Sequence, residues 1–169
     1  CDKILGLMRR RYKRDLFADR VAEIRKKLDM AGIGADVIVG FPGETEADFK
    51  ETYSFLDMLP LSNLHVFTFS DRPGTDAEKL KEKVSHQEKE SRSKRLTALS
   101  EKKFLEFCNA NLGLETNVLF ERTRSEGFIT GFTSNYIRVE HLWQPGLAGT
   151  IRRVKLKTIS GNGRINVEL

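Results

Sequence analysis

Three stretches of this sequence carry residues whose types and spacing could do chemistry. The first is Val39-Gly40-Phe41-Pro42-Gly43-Glu44-Thr45, where proline presets φ and the glycines let backbone come close to a ligand. The second, Phe67-Thr68-Phe69-Ser70-Asp71-Arg72-Pro73-Gly74-Thr75, joins aromatic surface to another glycine-containing turn. Phenylalanines in both offer the flat apolar faces on which an adenine ring stacks. Two readings stand here: a ligand site, or tight turns over a core. Neither loop is a P-loop, since no Gly-Lys-Ser/Thr follows, and the third glycine of a dinucleotide fingerprint is missing. The third stretch is Arg152-Arg153-Val154-Lys155-Leu156-Lys157. A strand there would show Arg153, Lys155 and Lys157 in a row, with Val154, Leu156 and Thr158 facing inward. Such a row suits a phosphate backbone, and it equally suits a solvated strand face. Cys1 and Cys108 lack metal-ligand spacing, and His65, His86 and His141 share no motif.

These stretches need elements to hold them. Phe17, Val21, Ile24 and Leu28 recur at helical spacing between Asp15 as a cap and Gly32 as a stop, which predicts an amphipathic helix over 16–31. The run Val37, Ile38, Val39, Phe41 predicts a strand covered on both faces, as in a parallel sheet. Thr45 with Asp48 forms a capping-box pattern opening a helix that ends near Pro60, and a second strand over 64–70 completes a βαβ unit whose sheet is incomplete. Ligands of parallel sheets meet the carboxyl ends of the strands, where both loops fall. Ser85 with Glu88 repeats the capping pattern and opens a helix over 86–110, roughly 37 Å long at ~1.5 Å per residue, stopped by Gly113. Cys108 reads as a buried structural thiol in its apolar end. From Leu114 the pattern changes to short β runs: Val118 and Phe120, then Phe128, Thr130 and Phe132, then 136–140, 151–159 and 165–169. Five strands over 112–169 predict a small closed or nearly closed barrel of the oligonucleotide-binding type.

Composition narrows the class. The chain has 169 residues, 39% hydrophobic and 31% charged, which fits a globular protein and excludes collagen-like, mucin-like and acidic disordered chains. No apolar run approaches the ~20 residues of a membrane span, and Arg9 to Arg11 follow an apolar stretch, the wrong order for a secretory signal. A cytoplasmic protein is expected. The net charge of +5 is unevenly spread: +6 over 1–27, −6 over 28–85, +2 over 86–111 and +3 over 112–169. A polyanion would meet the basic start or the C-terminal part. The chain opens on Cys1 directly into a helical pattern and reads as a piece of a longer protein.

Taken in order, Asp36-Val-Ile-Val-Gly40-Phe-Pro-Gly-Glu44-Thr45, the helix with Asp48-Phe49, and Phe67-Thr-Phe-Ser70-Asp-Arg72-Pro-Gly74-Thr75 resemble the radical S-adenosylmethionine (SAM) tRNA methylthiotransferases. Residues 2–12 look like the helix after the family's fourth barrel strand, and 112–169 like its terminal TRAM domain. The second motif is nearest the branch that modifies threonylcarbamoyl-adenosine beside the anticodon. The resemblance implies an α/β part over 1–84, the end of a (β/α) radical SAM barrel. A connecting helix over 85–111 would join it to an all-β, TRAM/OB-like five-stranded RNA-binding barrel over 112–169.

By position, Val39, Gly40 and Phe41 would line the adenine of SAM, Pro42, Gly43 and Glu44 would shape the loop, and Phe69 and Ser70 would close the same side. Arg152, Arg153, Lys155 and Lys157, extended by Arg122 and Arg124, would hold phosphates of a tRNA anticodon arm. The resemblance implies one [4Fe–4S] cluster on a Cys-x-x-x-Cys-x-x-Cys set earlier in the barrel and a second in an N-terminal domain. This chain lacks such a set, so the clusters would sit in missing N-terminal domains of the same protein and the chain alone would be inactive. The full enzyme would replace a C–H of the adenosine by C–S–CH3, with one SAM as radical source and another as methyl donor. Two other classes stand beside this one. One is a stand-alone RNA-binding module with an α/β scaffold. The other is a phosphate-binding α/β-barrel enzyme of central metabolism, which leaves 112–169 unexplained.

Overall fold

The computed structural model describes the whole backbone and every side chain except those of Thr123 and Ser125. Its residues group into two units, Cys1–Lys103 and Phe104–Leu169. In the first, helices α1 (Asp2–Leu7) and α2 (Arg14–Lys27) precede strand β1 (Gly34–Val39), helix α3 (Glu46–Met58) and strand β2 (Asn63–Thr68). Helix α2 departs from its predicted span of 16–31. Asp15 lies in its first turn and does not cap it; the Arg14 N–H donates instead to the Asp2 carboxylate at 2.9 Å. At the other end the Arg25 guanidinium donates to the carbonyls of Asp29, Ala31 (3.0 Å) and Pro60 (2.7 Å), which stabilises a loop where periodicity alone would continue the helix. Leu28, just past the helix, and Ile24, within it, are exposed, and Val21 carries the burial of that face.

Thr45 starts α3 as its spacing predicts. Its hydroxyl accepts the Asp48 N–H at 3.2 Å, and the Asp48 carboxylate accepts the Thr45 N–H at 2.9 Å. The helix so aligned buries Phe49 and Leu56 in one core with Val37, Val39 and Leu64, each side chain stabilising the unit by roughly 1.5–3 kcal/mol. Strands β1 and β2 are parallel and in register from Gly34 opposite Asn63 to Val39 opposite Thr68. The expectation of a strand covered on both faces is corrected: Ala35, Val37 and Val39 are buried, while Gly34, Asp36 and Ile38 are exposed, because this core lies on one side of the sheet.

Helix α4 (His86–Asn111) opens with the second capping box. Ser85 Oγ accepts the Glu88 N–H, and the Glu88 carboxylate accepts the Ser85 N–H, both at 3.2 Å. Leu96 and Leu99 join the core of the first unit, and Phe107 and Cys108 that of the second.

In the second unit β3 (Glu115–Ser125), β4 (Phe128–Thr133), β5 (Arg138–Leu142), β6 (Ile151–Ile159) and β7 (Ile165–Glu168) close into a barrel in the order β3-β4-β5-β7-β6. Neighbours are antiparallel except β5 and β7. Val118, Phe120, Ile129, Val139, Val154, Leu156 and Ile165 fill the interior. Two strands depart from the predicted alternation. On β4 Ile129, Gly131 and Thr133 are buried; of the predicted set Thr130 is also buried, its hydroxyl donating to the Glu121 carboxylate, but Phe132 is exposed. The run Phe-Ile-Thr-Gly-Phe-Thr is apolar at both parities, and only glycine can pass β3 this closely: a Cβ on Gly131 would lie 2.6 Å from the Leu119 carbonyl oxygen. On β6, Val154 and Leu156 are buried as expected, but Thr158 is exposed. A register shift against β7 between Leu156 and Thr158 reverses the alternation and packs Ile159 on the core.

Candidate functional site

The two glycine loops leave the sheet side by side. The Phe69 N–H donates to the Val39 carbonyl at 2.8 Å, and the rings of Phe41 and Phe69 meet edge to face with centroids 5.0 Å apart. A depression of about 490 Å³ is bounded by Ile38, Phe67, Phe69, Ser70 and Arg72, and another of about 380 Å³ by Leu7, Arg10, Ile38, Phe41 and Phe69. Of the residues singled out from sequence, Phe41, Phe69 and Ser70 therefore border open space. Val39 does not: its side chain is 1% exposed, within the core, and only its carbonyl reaches the loops. Gly40 and Gly43 take φ of 75° and 86°, the left-handed region that glycine tolerates, with buried Pro42 between them. Glu44 folds back, 6% exposed, and accepts the Gly40 N–H on its carboxylate.

That buried carboxylate is met from α4. Arg92, 3% exposed, donates to the Glu44 carboxylate at 3.0 Å and to the Glu44 carbonyl at 3.1 Å. Burial holds the Glu44 carboxyl above its ordinary range, against the Gly40 and Arg92 contacts that lower it. One turn earlier, the Lys89 ammonium donates to the Phe69 carbonyl at 3.0 Å and lies 5.5 Å from the centroid of that ring. From the other side Lys3 donates to the Gly43 carbonyl at 3.0 Å and to Asp48 at 2.7 Å. Burial pushes the Asp48 carboxyl up, but hydrogen bonds from Lys3 and Thr45 outweigh it and leave it at about 2. Sequence reasoning missed Lys89 and Arg92 because the polar half of α4 reads as a solvated face. Their i,i+3 spacing was the only local signal that both share one side.

On the barrel, Arg153, Lys155 and Lys157 do line up on the exposed face of β6. The row is not free of acids, as the single strand suggested. Arg153 pairs with Glu115 of β3 at 3.0 Å, Lys157 with Glu168 of β7 at 2.7 Å, and Lys155 stands in register with both acids. The Lys157 hydrogen bond and the Lys155 charge hold the Glu168 carboxyl below its usual range. Arg152 is exposed but belongs to the other parity, opposite the inward-facing Val118. Arg122 and Arg124 are exposed on β3, Arg122 beside Gly149. Sequence also missed a cross-strand row, Arg138, Phe132, Leu119 and Ile151, which runs in register across β5, β4, β3 and β6 on the outer surface. The Arg138 guanidinium lies 5.6 Å from the Phe132 ring centroid.

Among the described residues no group of three or more His, Cys, Asp and Glu side chains is placed to hold a metal ion. Cys108 is 1% exposed, and burial pushes its thiol up to about 11, so it does not suit a thiolate ligand. These residues therefore do not fit an iron–sulfur cluster. Among the described residues no helix is long and apolar enough to cross a membrane.

No family model matches the chain. Individual proteins do. The threonylcarbamoyladenosine tRNA methylthiotransferase MtaB of Bacillus subtilis is 38% identical over 157 residues, 90% of this chain and 35% of that protein. MtaB of Aquifex aeolicus is 42% identical over 140 residues, 82% of this chain and 33% of its own length. The tRNA-2-methylthio-N(6)-dimethylallyladenosine synthase of Pelobacter propionicus is 35% identical over 162 residues, 95% of this chain and 37% of its own. The chain spans about a third of the length of the curated relatives it matches. With identities of this size running through nearly all of it, the chain is homologous to a segment of the tRNA methylthiotransferases.

Proposed function

We propose that the chain is the C-terminal part of a radical SAM tRNA methylthiotransferase, in which the first unit supplies one wall of an S-adenosylmethionine pocket and the barrel holds the tRNA anticodon arm. The observation that carries this reading is the pair of parallel strands ending together in loops 40–44 and 69–75, since ligands of parallel sheets bind beyond the carboxyl ends of the strands. Support comes from the apolar surface of Phe67 and Phe69, with Ser70 beside it, which fits an adenine; Phe41, 6% exposed, backs the Phe69 ring edge to face. On this reading, residues 1–84 are the end of a (β/α) barrel, 85–111 a connecting helix and 112–169 a TRAM domain, in a cytoplasmic protein.

Each residue then has a task. Phe69 and Ser70 orient the adenine and shield one face of it from water, and Phe41, largely buried, borders it and backs the Phe69 ring. Gly40, Pro42, Gly43 and Glu44 fix the loop, and Val39 ties it to β2 through its carbonyl. Bound SAM supplies the radical source and the methyl group. The iron–sulfur clusters of such an enzyme are held outside this chain. Arg153, Lys155 and Lys157, with Arg122, Arg124 and Arg152 at the margins, hold phosphates and set the position of the RNA without reading its sequence.

The test is calorimetric titration of the chain with S-adenosylhomocysteine, which cannot undergo the cleavage. Saturable binding is expected, and Phe69→Ala weakens it about five- to 150-fold if ring stacking contributes the usual ~1–3 kcal/mol. An absence of binding, or an affinity that Phe69→Ala leaves unchanged, refutes the reading.

A further inference from the structure

We propose that Lys89 and Arg92 are positioning residues that hold the cosubstrate loop in its binding shape before the ligand arrives. This rests on reading 40–44 as that loop. Two glycines and a proline within five residues fix little by themselves, and the loop's shape depends on side chains that address it. Glu44 provides the internal tie by accepting the Gly40 N–H, but a carboxylate buried this deeply is stable in one orientation only if it is paired. Arg92 supplies the pairing and also grips the Glu44 carbonyl, so both ends of the residue are fixed.

Arg92 is itself a costly choice. It is almost wholly buried, its Nε has no hydrogen-bond partner, and besides Glu44 the carboxylates of Glu46 and Glu88 lie 3.8 and 3.9 Å away. An apolar residue of similar volume would seat the helix as well or better. What the guanidinium adds is direction: it aims the Glu44 carboxylate at the Gly40 amide. Lys89 does the matching task on the second loop. Its stem occupies the space beside Gly40 where a Cβ would go, and its ammonium holds the Phe69 carbonyl and lies over the Phe69 ring. One helical turn thus ties down the ends of both strands, which fixes the separation of the Phe41 and Phe69 rings and removes an ordering cost from binding.

The experiment is residue-resolved amide hydrogen exchange on the full 169-residue chain carrying Arg92→Met, Arg92→Lys or Lys89→Met, with each variant titrated by S-adenosylhomocysteine. Arg92→Met is expected to speed exchange of the Gly40 amide at least tenfold, while Val37 in β1 and Ile129 and Val154 in the barrel keep wild-type rates. Arg92→Lys restores part of the protection. Affinity for S-adenosylhomocysteine falls in the same order. Lys89→Met keeps the aliphatic stem, folds as the wild type does, and lowers that affinity severalfold. Unchanged exchange at Gly40 overturns the proposal. So does acceleration spread evenly over β1, α3 and β2, which marks a residue that only stabilises the unit. A loosened Gly40 with undiminished affinity overturns it as well. Should the wild-type chain not bind S-adenosylhomocysteine at all, the cosubstrate reading fails by itself, and the exchange pattern still decides whether Lys89 and Arg92 fix the loop.

Discussion

On the proposed role of the barrel in holding an anticodon arm, replacing Glu115 and Glu168 together by glutamine is predicted to strengthen RNA binding. In the folded chain Arg153 is engaged by Glu115 at 3.0 Å and Lys157 by Glu168 at 2.7 Å, and Lys155 faces both acids in register. A phosphate arriving at this row must first displace those carboxylates. Exposed ion pairs of this kind are each worth about 0.2–1 kcal/mol, so freeing two of them gains roughly 0.5–2 kcal/mol, a two- to thirtyfold tighter complex. The salt dependence changes too. Each additional cation that meets a phosphate steepens the plot of log K against log salt by about 0.7–0.9, so with two cations freed the double variant gains a slope of about 1.4–1.8. The assay is fluorescence anisotropy of a labelled anticodon stem-loop at a series of KCl concentrations from about 50 to about 300 mM, where counterion release dominates. Glu23→Gln with Asp29→Asn, which makes the same change in net charge on and after α2, serves as the control. Equal gains in both variants would show that net charge alone matters. No gain in either affinity or slope would remove the β6 row from the RNA contact.

Two further outcomes follow from the geometry. The folded Asp48 carboxyl titrates at about 2 against 3.8 when unpaired, so its contribution is complete above pH 4 and is lost as pH falls through 2. With Lys3 half exposed this amounts to about 1–2 kcal/mol, read as the difference in urea midpoint between wild type and Asp48→Asn from pH 5 to pH 2; parallel midpoints would disprove it. Gly131→Ala forces a Cβ to within 2.6 Å of the Leu119 carbonyl and 3.1 Å of Phe120 Cα, main-chain atoms that cannot swing aside. A loss of about 3 kcal/mol or more is expected in the barrel, with amide signals of Ile129 and Val139 lost and those of Val37 and Phe49 kept; a barrel that melts like the wild type would contradict the strand spacing.

What could be read from the sequence was local. Thr45 with Asp48 and Ser85 with Glu88 announce their helices because both partners of each capping box lie three residues apart. The outward run of Arg153, Lys155 and Lys157 was legible from strand parity alone, and parity failed at Thr158 where a register shift intervened. Long-range partners were not legible. Glu115 and Glu168 neutralise the β6 row from neighbouring strands, and the partners of Lys89 and Arg92 lie 20 and 48 residues away in the chain. Helix α2 shows the converse: an apolar period ran on through Leu28, but Arg25 found better acceptors beyond the helix and ended it early.

The way α4 and α2 attach has an evolutionary consequence. Lys89 addresses the oxygen of Phe69, Ser100 that of Leu64, Lys103 those of Asp57 and Leu59, and Arg25 that of Pro60, all of them main-chain carbonyls. Every amino acid brings a carbonyl, so substitutions on the accepting side leave such a bond standing, while the donor positions alone carry the selective burden. In diverging lineages these contacts by themselves therefore constrain the donor side chain and place no demand on the identity of the acceptor, a pattern that covariation between columns cannot detect.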